Sequence, residues 1–174
     1  MENIQIAPFG VERSKFSPSF YDATARREML ATCGLGADAS LLIAVGRHHP
    51  EKRLRTLIRA VSRAQKQRKI GLYIAGDGFL RAWVERWALN TQNVYVAGQI
   101  NDADQLSTVM ASADALIHGS AAETFGLVLA EALCSGTPLI VPDAGASATF
   151  AGPGYAETYR AGDAVDAAGA ILAA

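Results

Sequence analysis

The run from Asp114 to Pro142, DALIHGSAAETFGLVLAEALCSGTPLIVP, leaves a chain of this kind few ways to fold. Ala115 to Ile117 is an apolar run short enough for a buried strand, and Gly119-Ser120-Ala121-Ala122 breaks it. Phe125, Val128, Leu129, Ala132 and Leu133 then fall at i, i+3, i+4, i+7 and i+8, which predicts a helix over Phe125 to Cys134 with one apolar face. Gly136 stops that helix, Pro138 follows, and Leu139 to Val141 reads as a second buried strand. Two strands joined by a helix run parallel.

Two acids mark the unit, Glu123 just ahead of the helix and Glu131 two turns inside it. At about 1.5 Å per residue their separation covers on the order of 12 Å, roughly the span from a ribose across a diphosphate to a sugar. Glu131 lies on the flank of the apolar face, where it can look sideways into a cleft. The first-turn N–H groups around Phe125, Gly126 and Leu127 would attract an anion, and Gly126 would let a ligand approach the backbone. Taken singly, Glu123 reads better as a helix cap and Glu131 as a solvated helix position; it is the pattern around the pair that favours a site.

The rest of the chain repeats the alternation. Strands are expected over Leu41–Val45, Ile70–Ala75 and Asn93–Ala97, and helices over Tyr21–Gly34, from Leu54 onward, Phe79–Leu89, Asp104–Ala113 and Asp163–Ala174. This predicts an α/β fold, a doubly wound, mostly parallel Rossmann-like sheet whose strand carboxyl ends carry the ligand. After the first strand come Gly46, Arg47 and Lys52, where a phosphate would sit. Gly76-Asp77-Gly78 follows the second strand and Gly98-Gln99-Ile100 the third. His48 and His49, adjacent in a loop without a carboxylate partner, are expected to be exposed, and His118 to pack. Trp83 and Trp87 are expected in the core, and Arg55, Arg59 and Arg63 on a solvated face.

With 174 residues, 50% hydrophobic, 19% charged and a net charge of −1, the chain is one ordinary globular domain with no sign of a nucleic-acid surface. No apolar stretch approaches the ~20 residues that span a bilayer. Met1 to Pro8 has no basic region followed by an apolar core, as a signal peptide would. Cys33 and Cys134 form no CxxC pair, which fits a reduced, cytoplasmic setting. No metal-ligand cluster is visible.

The string ETFGLVLAEAL resembles the Glu-x7-Glu signature of the retaining group 1 glycosyltransferases, enzymes built from two Rossmann-like domains in the GT-B fold. The resemblance implies that Glu123 faces the sugar being transferred and Glu131 hydrogen-bonds the ribose. Thr124, Phe125, Gly126 and Leu127 would line the donor, Thr124 standing where the family has Gly. VGRHHPEKRLRTLI resembles the family's Gly-Arg-x-x-x-x-Lys-Gly motif, in which Gly46 leads to Arg47 and Lys52 as the diphosphate clamp; Arg53 replaces the last Gly. Gly76 falls in a Gly-x-Gly that the family keeps near the nucleotide, and Ile100 follows a stretch near the nucleobase.

Residues 1–20 resemble the family's interdomain hinge, with Phe9 and Glu12 in place of its Asn and Asp, and 21–174 its donor domain. After Val141 the match frays: PDAGASATFAGPG has no acid after Gly145, so the role of the family's Glu there does not carry over. The implied function is the donor-binding domain of a retaining glycosyltransferase that moves a sugar from a nucleoside diphosphate sugar to an acceptor hydroxyl. Arg47, Lys52 and Glu123 would be catalytic, and no metal or other cofactor is expected. The expected partners are the nucleotide-sugar donor and an N-terminal acceptor-binding domain absent from this chain, which would also carry any membrane contact. Alone, the chain would bind donor but transfer poorly or not at all. A sugar-nucleotide epimerase or phosphorylase-like domain has the same architecture and a product assay separates it; a non-catalytic nucleotide-binding module would show no gain from the sugar.

Overall fold

The computed structural model describes residues 10–174, so residues 1–9 of the expected hinge segment lie outside the described residues. Six strands, β1 (Ser40–Val45), β2 (Ile70–Ala75), β3 (Val94–Gly98), β4 (Ala115–Ile117), β5 (Leu139–Pro142) and β6 (Ala156–Tyr159), form one parallel sheet in the order β3-β2-β1-β4-β5-β6. The expected doubly wound Rossmann-like sheet is therefore present. The order reverses between β1 and β4, which is where such sheets open a crevice.

Helices cover both faces. α2 (Leu54–Ala64), α3 (Arg81–Leu89) and α7 (Ala164–Ala173) share one core with Leu42, Ala44, Ile74 and Ile117. α1 (Ala23–Thr32), α4 (Ala103–Ala111) and α5 (Leu127–Cys134) share the other with Leu41, Ile43, Leu116 and Val141. Successive β1 residues thus point into opposite cores, and Leu41 to Ala44 are all buried. That is why the strand reads as an unbroken apolar run rather than an alternation.

Local chemistry sets the helix ends. Asp22 Oδ1 accepts from the N–H groups of Thr24 at 2.6 Å and Ala25 at 3.2 Å, which starts α1 at Ala23. α3 begins at Arg81, later than expected, because the Leu80 N–H is taken by the His48 carbonyl at 2.8 Å. Its buried stripe is Val84 and Ala88, with Trp87 partly buried under the Arg55 guanidinium at 5.8 Å. Trp83 falls off that stripe and is 54% exposed, so the expectation that it belongs to the core is corrected.

The segment after Pro142 has more structure than its sequence suggested, a single turn, α6 (Gly145–Ala148), and the edge strand β6, ahead of the expected alanine-rich helix α7. Ala167, Ala168 and Ala170 are buried in the core that α7 shares with α2; their small side chains let the two helices approach closely. On the opposite side, Val11 and Phe16 pack into the other core, and the Ser107 hydroxyl donates to the Lys15 carbonyl.

Candidate functional site

The loops after β1 and β2 touch backbone to backbone. Gly46 and Gly76 both have φ of +143°, and a Cβ on Gly76 would lie 1.9 Å from the Gly46 carbonyl oxygen. The His48 N–H donates to the Asp77 carbonyl at 2.7 Å, and a Cβ on Gly78 would stand 2.9 Å from the His48 nitrogen. This lacing buries the His48 side chain completely, which corrects the expectation that it is exposed; His49 is on the surface. Neither ring nitrogen of His48 has a hydrogen-bond partner among the described residues, and burial pushes its pKa down.

Between these loops and the end of β3 opens a cleft of about 540 Å³ lined by Gly46, Arg47, Gly76, Asp77, Gln99 and Ile100 among others. Four residues expected at a donor, Gly46, Arg47, Gly76 and Ile100, therefore share one wall-to-wall space. Gln99 joins them, a residue without an expected role.

A second group converges where β1 meets β4. Lys52 closes a 3₁₀ turn, Pro50–Lys52, and Arg53 follows in the left-handed conformation at φ 47°. A Cβ on Gly119 would lie 2.3 Å from the Lys52 carbonyl, so only glycine lets the end of β4 pass this turn. The Lys52 ammonium forms an ion pair with Oε1 of Glu123, and His118 Nε2 lies 3.0 Å from the same oxygen. Lys52 and Glu123 are nearly buried, their side chains 16% and 13% exposed. The His118 hydrogen bond and, after it, Lys52 hold the Glu123 carboxyl at about 2, outweighing burial, which acts the other way. His118 does pack, as expected, and it also reaches the acid.

Arg47 and Lys52 do not meet a common partner here. Arg47 is 80% exposed at the cleft, with its guanidinium 3.7 Å from Glu51, while Lys52 turns to Glu123. The Cβ position of Gly46 is 3.7 Å from Lys52 Cε, so the two cations flank that glycine.

The expected helix over Phe125 to Cys134 is corrected at its start. Gly126 is left-handed at φ 63° and serves as N-cap, so α5 begins at Leu127. Phe125 is 53% exposed and leaves the buried face, whose fully buried members are Leu129 and Ala132. The space a Cβ would take on Gly126 holds the Phe150 ring, 2.6 Å away, rather than lying open to a ligand. The first N–H groups inside α5, those of Leu127 and Val128, have no partner within the helix. Thr124 and Leu127 are exposed. Glu131 is partly buried; among the described residues no hydrogen bond reaches its carboxylate, and burial pushes its pKa up.

Sequence reasoning missed the packing beneath this loop. Gly145, at φ 68°, would clash through a Cβ 1.7 Å from the Ala121 carbonyl, and Ser147 Oγ donates to the Ser120 carbonyl at 2.6 Å. The Pro-Asp-Ala-Gly string was the available signal for a tight turn. His118, five residues ahead of Glu123, was the available signal for a partner of that acid. Among the described residues no group of three or more His, Cys, Asp or Glu side chains could hold a metal, and no helix is long and apolar enough to cross a membrane.

Comparison with known proteins gives a consistent pattern. The family described as glycosyl transferases group 1 matches residues 27–172. A GDP-mannose-dependent alpha-mannosyltransferase of Mycobacterium tuberculosis is 34% identical over 136 residues, covering 78% of this chain and 32% of that protein. An uncharacterized glycosyltransferase of Methanocaldococcus jannaschii is 32% identical over 114 residues, covering 64% of this chain and 29% of its own length. The chain thus spans about a third of the curated relatives it matches. Among solved structures, sucrose-phosphate synthase from Thermosynechococcus elongatus superposes with a TM-score of 0.74 at 27% identity, over 95% of this chain and 42% of that one. Anabaena HepE, solved in complex with UDP and glucose, gives 0.74 at 20% identity over 91% of this chain and 45% of that one, a likeness of fold.

Proposed function

Because the chain belongs to the group 1 glycosyltransferases, we propose that it is the donor-binding domain of a retaining enzyme that transfers a sugar from a nucleoside diphosphate sugar to an acceptor hydroxyl. The observation that carries this reading is the meeting of Lys52 and Glu123 across the β1–β4 switch point, beside a cleft whose rim carries Arg47. In such a transfer the bond between the sugar and the diphosphate breaks as negative charge grows on the leaving oxygen. Arg47, Lys52 and the Leu127 and Val128 N–H groups would hold that charge without a metal, Lys52 exchanging Glu123 for phosphate. Glu123, ionised at neutral pH, would accept hydrogen bonds from the sugar hydroxyls, and Glu131 from the ribose. Gly46, Gly76 and Ile100 would line the nucleotide, with Thr124 to Leu127 beside the sugar and diphosphate. An N-terminal half would bind the acceptor.

Relatives named as GDP-mannose-dependent make GDP-mannose the first donor to test. Calorimetric titration with UDP, GDP and ADP should find one preferred nucleotide, and Arg47→Ala and Glu131→Ala should each weaken it by about tenfold or more, the scale of one lost charge-assisted hydrogen bond. Absence of binding by all three, or binding indifferent to both substitutions, would contradict the reading.

A further inference from the structure

Lys52 and His118 meet Glu123 at a single oxygen. Both engage Oε1, and among the described residues no protein group reaches Oε2. The two partners differ in freedom. Lys52 ends a flexible four-carbon stem, and on the donor-site reading its cation turns to the diphosphate. His118 has nowhere to turn: its side chain is 3% exposed, its N–H donates to the Ile140 carbonyl at 2.9 Å, and its own carbonyl accepts the Tyr159 hydroxyl at 2.5 Å. Glu123, with its carboxyl held at about 2, is ionised at neutral pH and can only accept; the proton of the hydrogen bond therefore sits on His118 Nε2.

We propose that His118 is the positioning residue for Glu123, holding Oε1 while Lys52 moves to the diphosphate and so keeping Oε2 available to the hydroxyls of the donor sugar. The proposal rests on the donor-site reading. Without it, the arrival of the donor would draw away the ammonium and release the carboxylate together, just as the sugar needed it. The strand position explains why a histidine serves. Residue 118 directly follows the last buried residue of β4, so a ring fixed there reaches the next loop without a flexible stem.

The test compares wild type, His118→Ala and His118→Gln, whose amide N–H reaches about as far as Nε2. Each is titrated with GDP and GDP-mannose and with UDP and UDP-glucose, and the Glu123 carboxyl is followed by carbon NMR across pH. Wild type should bind one sugar nucleotide about fivefold tighter than its diphosphate, the scale of one hydrogen bond. His118→Ala should erase that gain while diphosphate affinity stays within about twofold, and His118→Gln should restore most of it. The carboxyl should titrate higher in the Ala variant and return in the Gln variant. A gain that survives in His118→Ala overturns the proposal, as does parallel weakening of diphosphate and sugar nucleotide in both variants, the mark of a structural role. If wild type binds no nucleotide, the donor-site reading fails and the proposal falls with it. If nucleotide binds but the carboxyl does not respond to His118→Ala, the proposal alone falls.

Discussion

Two partly or fully buried titratable groups in this molecule pull in opposite chemical directions, and each predicts its own acid sensitivity. Glu123, depressed from the usual 4.5 to about 2, contributes stability that is complete above pH 4.5 and lost as pH falls toward 2. The shift corresponds to roughly 3 kcal/mol. In urea unfolding, the stability advantage of wild type over Glu123→Gln should therefore be wide at pH 7 and close between pH 4.5 and pH 2; a gap independent of pH would show that the Lys52–His118 contacts do not act on charge. His48 is a base whose folded pKa is lowered by burial, so it stays neutral in the fold while the unfolded chain takes up a proton. Stability should accordingly decline as pH drops below about 6.5, the unfolded value. His48→Leu, which removes two ring nitrogens with no hydrogen-bond partner among the described residues, should flatten that decline at little or no cost at pH 8. Sequence could place Glu123 and Lys52 each in a loop at a strand carboxyl end, where such sheets bind ligands; that the two loops are neighbours follows from the pairing of β1 with β4. It could not see that His48 is buried, because the burial comes from Gly78 letting another loop lie against its backbone.

At the scale of elements, the glycines separate those that shape the site from those that do not. Gly76→Ala would force a Cβ into the Gly46 carbonyl at a φ that L-residues avoid, and should cost several kcal/mol or prevent folding. Gly169 sits exposed inside α7 with open space around it, so Gly169→Ala should raise stability by about 0.5–1 kcal/mol. Thermal melts of the two variants check both. The core strands β1, β2, β4 and β5 were legible because parallel strands buried on both faces give continuous apolar runs, and α2 because it carries Leu54, Leu57, Ile58 and Val61 at helical spacing. The misplaced elements share a cause: their boundaries are set by contacts distant in sequence. α5 starts two residues late because Gly126 turns left-handed against Phe150, and Trp83 is exposed because Val84, Trp87 and Ala88 take the side of α3 that faces the core. β6 escaped notice because Ala156–Tyr159 buries only its last side chain fully, leaving no periodicity to read.

For the whole molecule, the two cores and the parallel sheet make one body whose candidate site is assembled from loops after four different strands. On the proposed function this body should bind its nucleotide sugar yet release no product when acceptor is added; sugar transfer by the purified chain would contradict the division of labour. β1 pairs with β2 early in the chain, but its other edge is filled by β4, with the Leu41 N–H donating to Asp114 Oδ2 across 73 residues. Until β4 emerges from the ribosome, β1 presents a row of unpaired N–H and C=O groups flanked by Leu41 and Ile43, a template for the wrong neighbour. A fragment ending at residue 113 should therefore aggregate although it contains half the sheet, and the nascent chain has a stretch of its synthesis in which a chaperone would matter most.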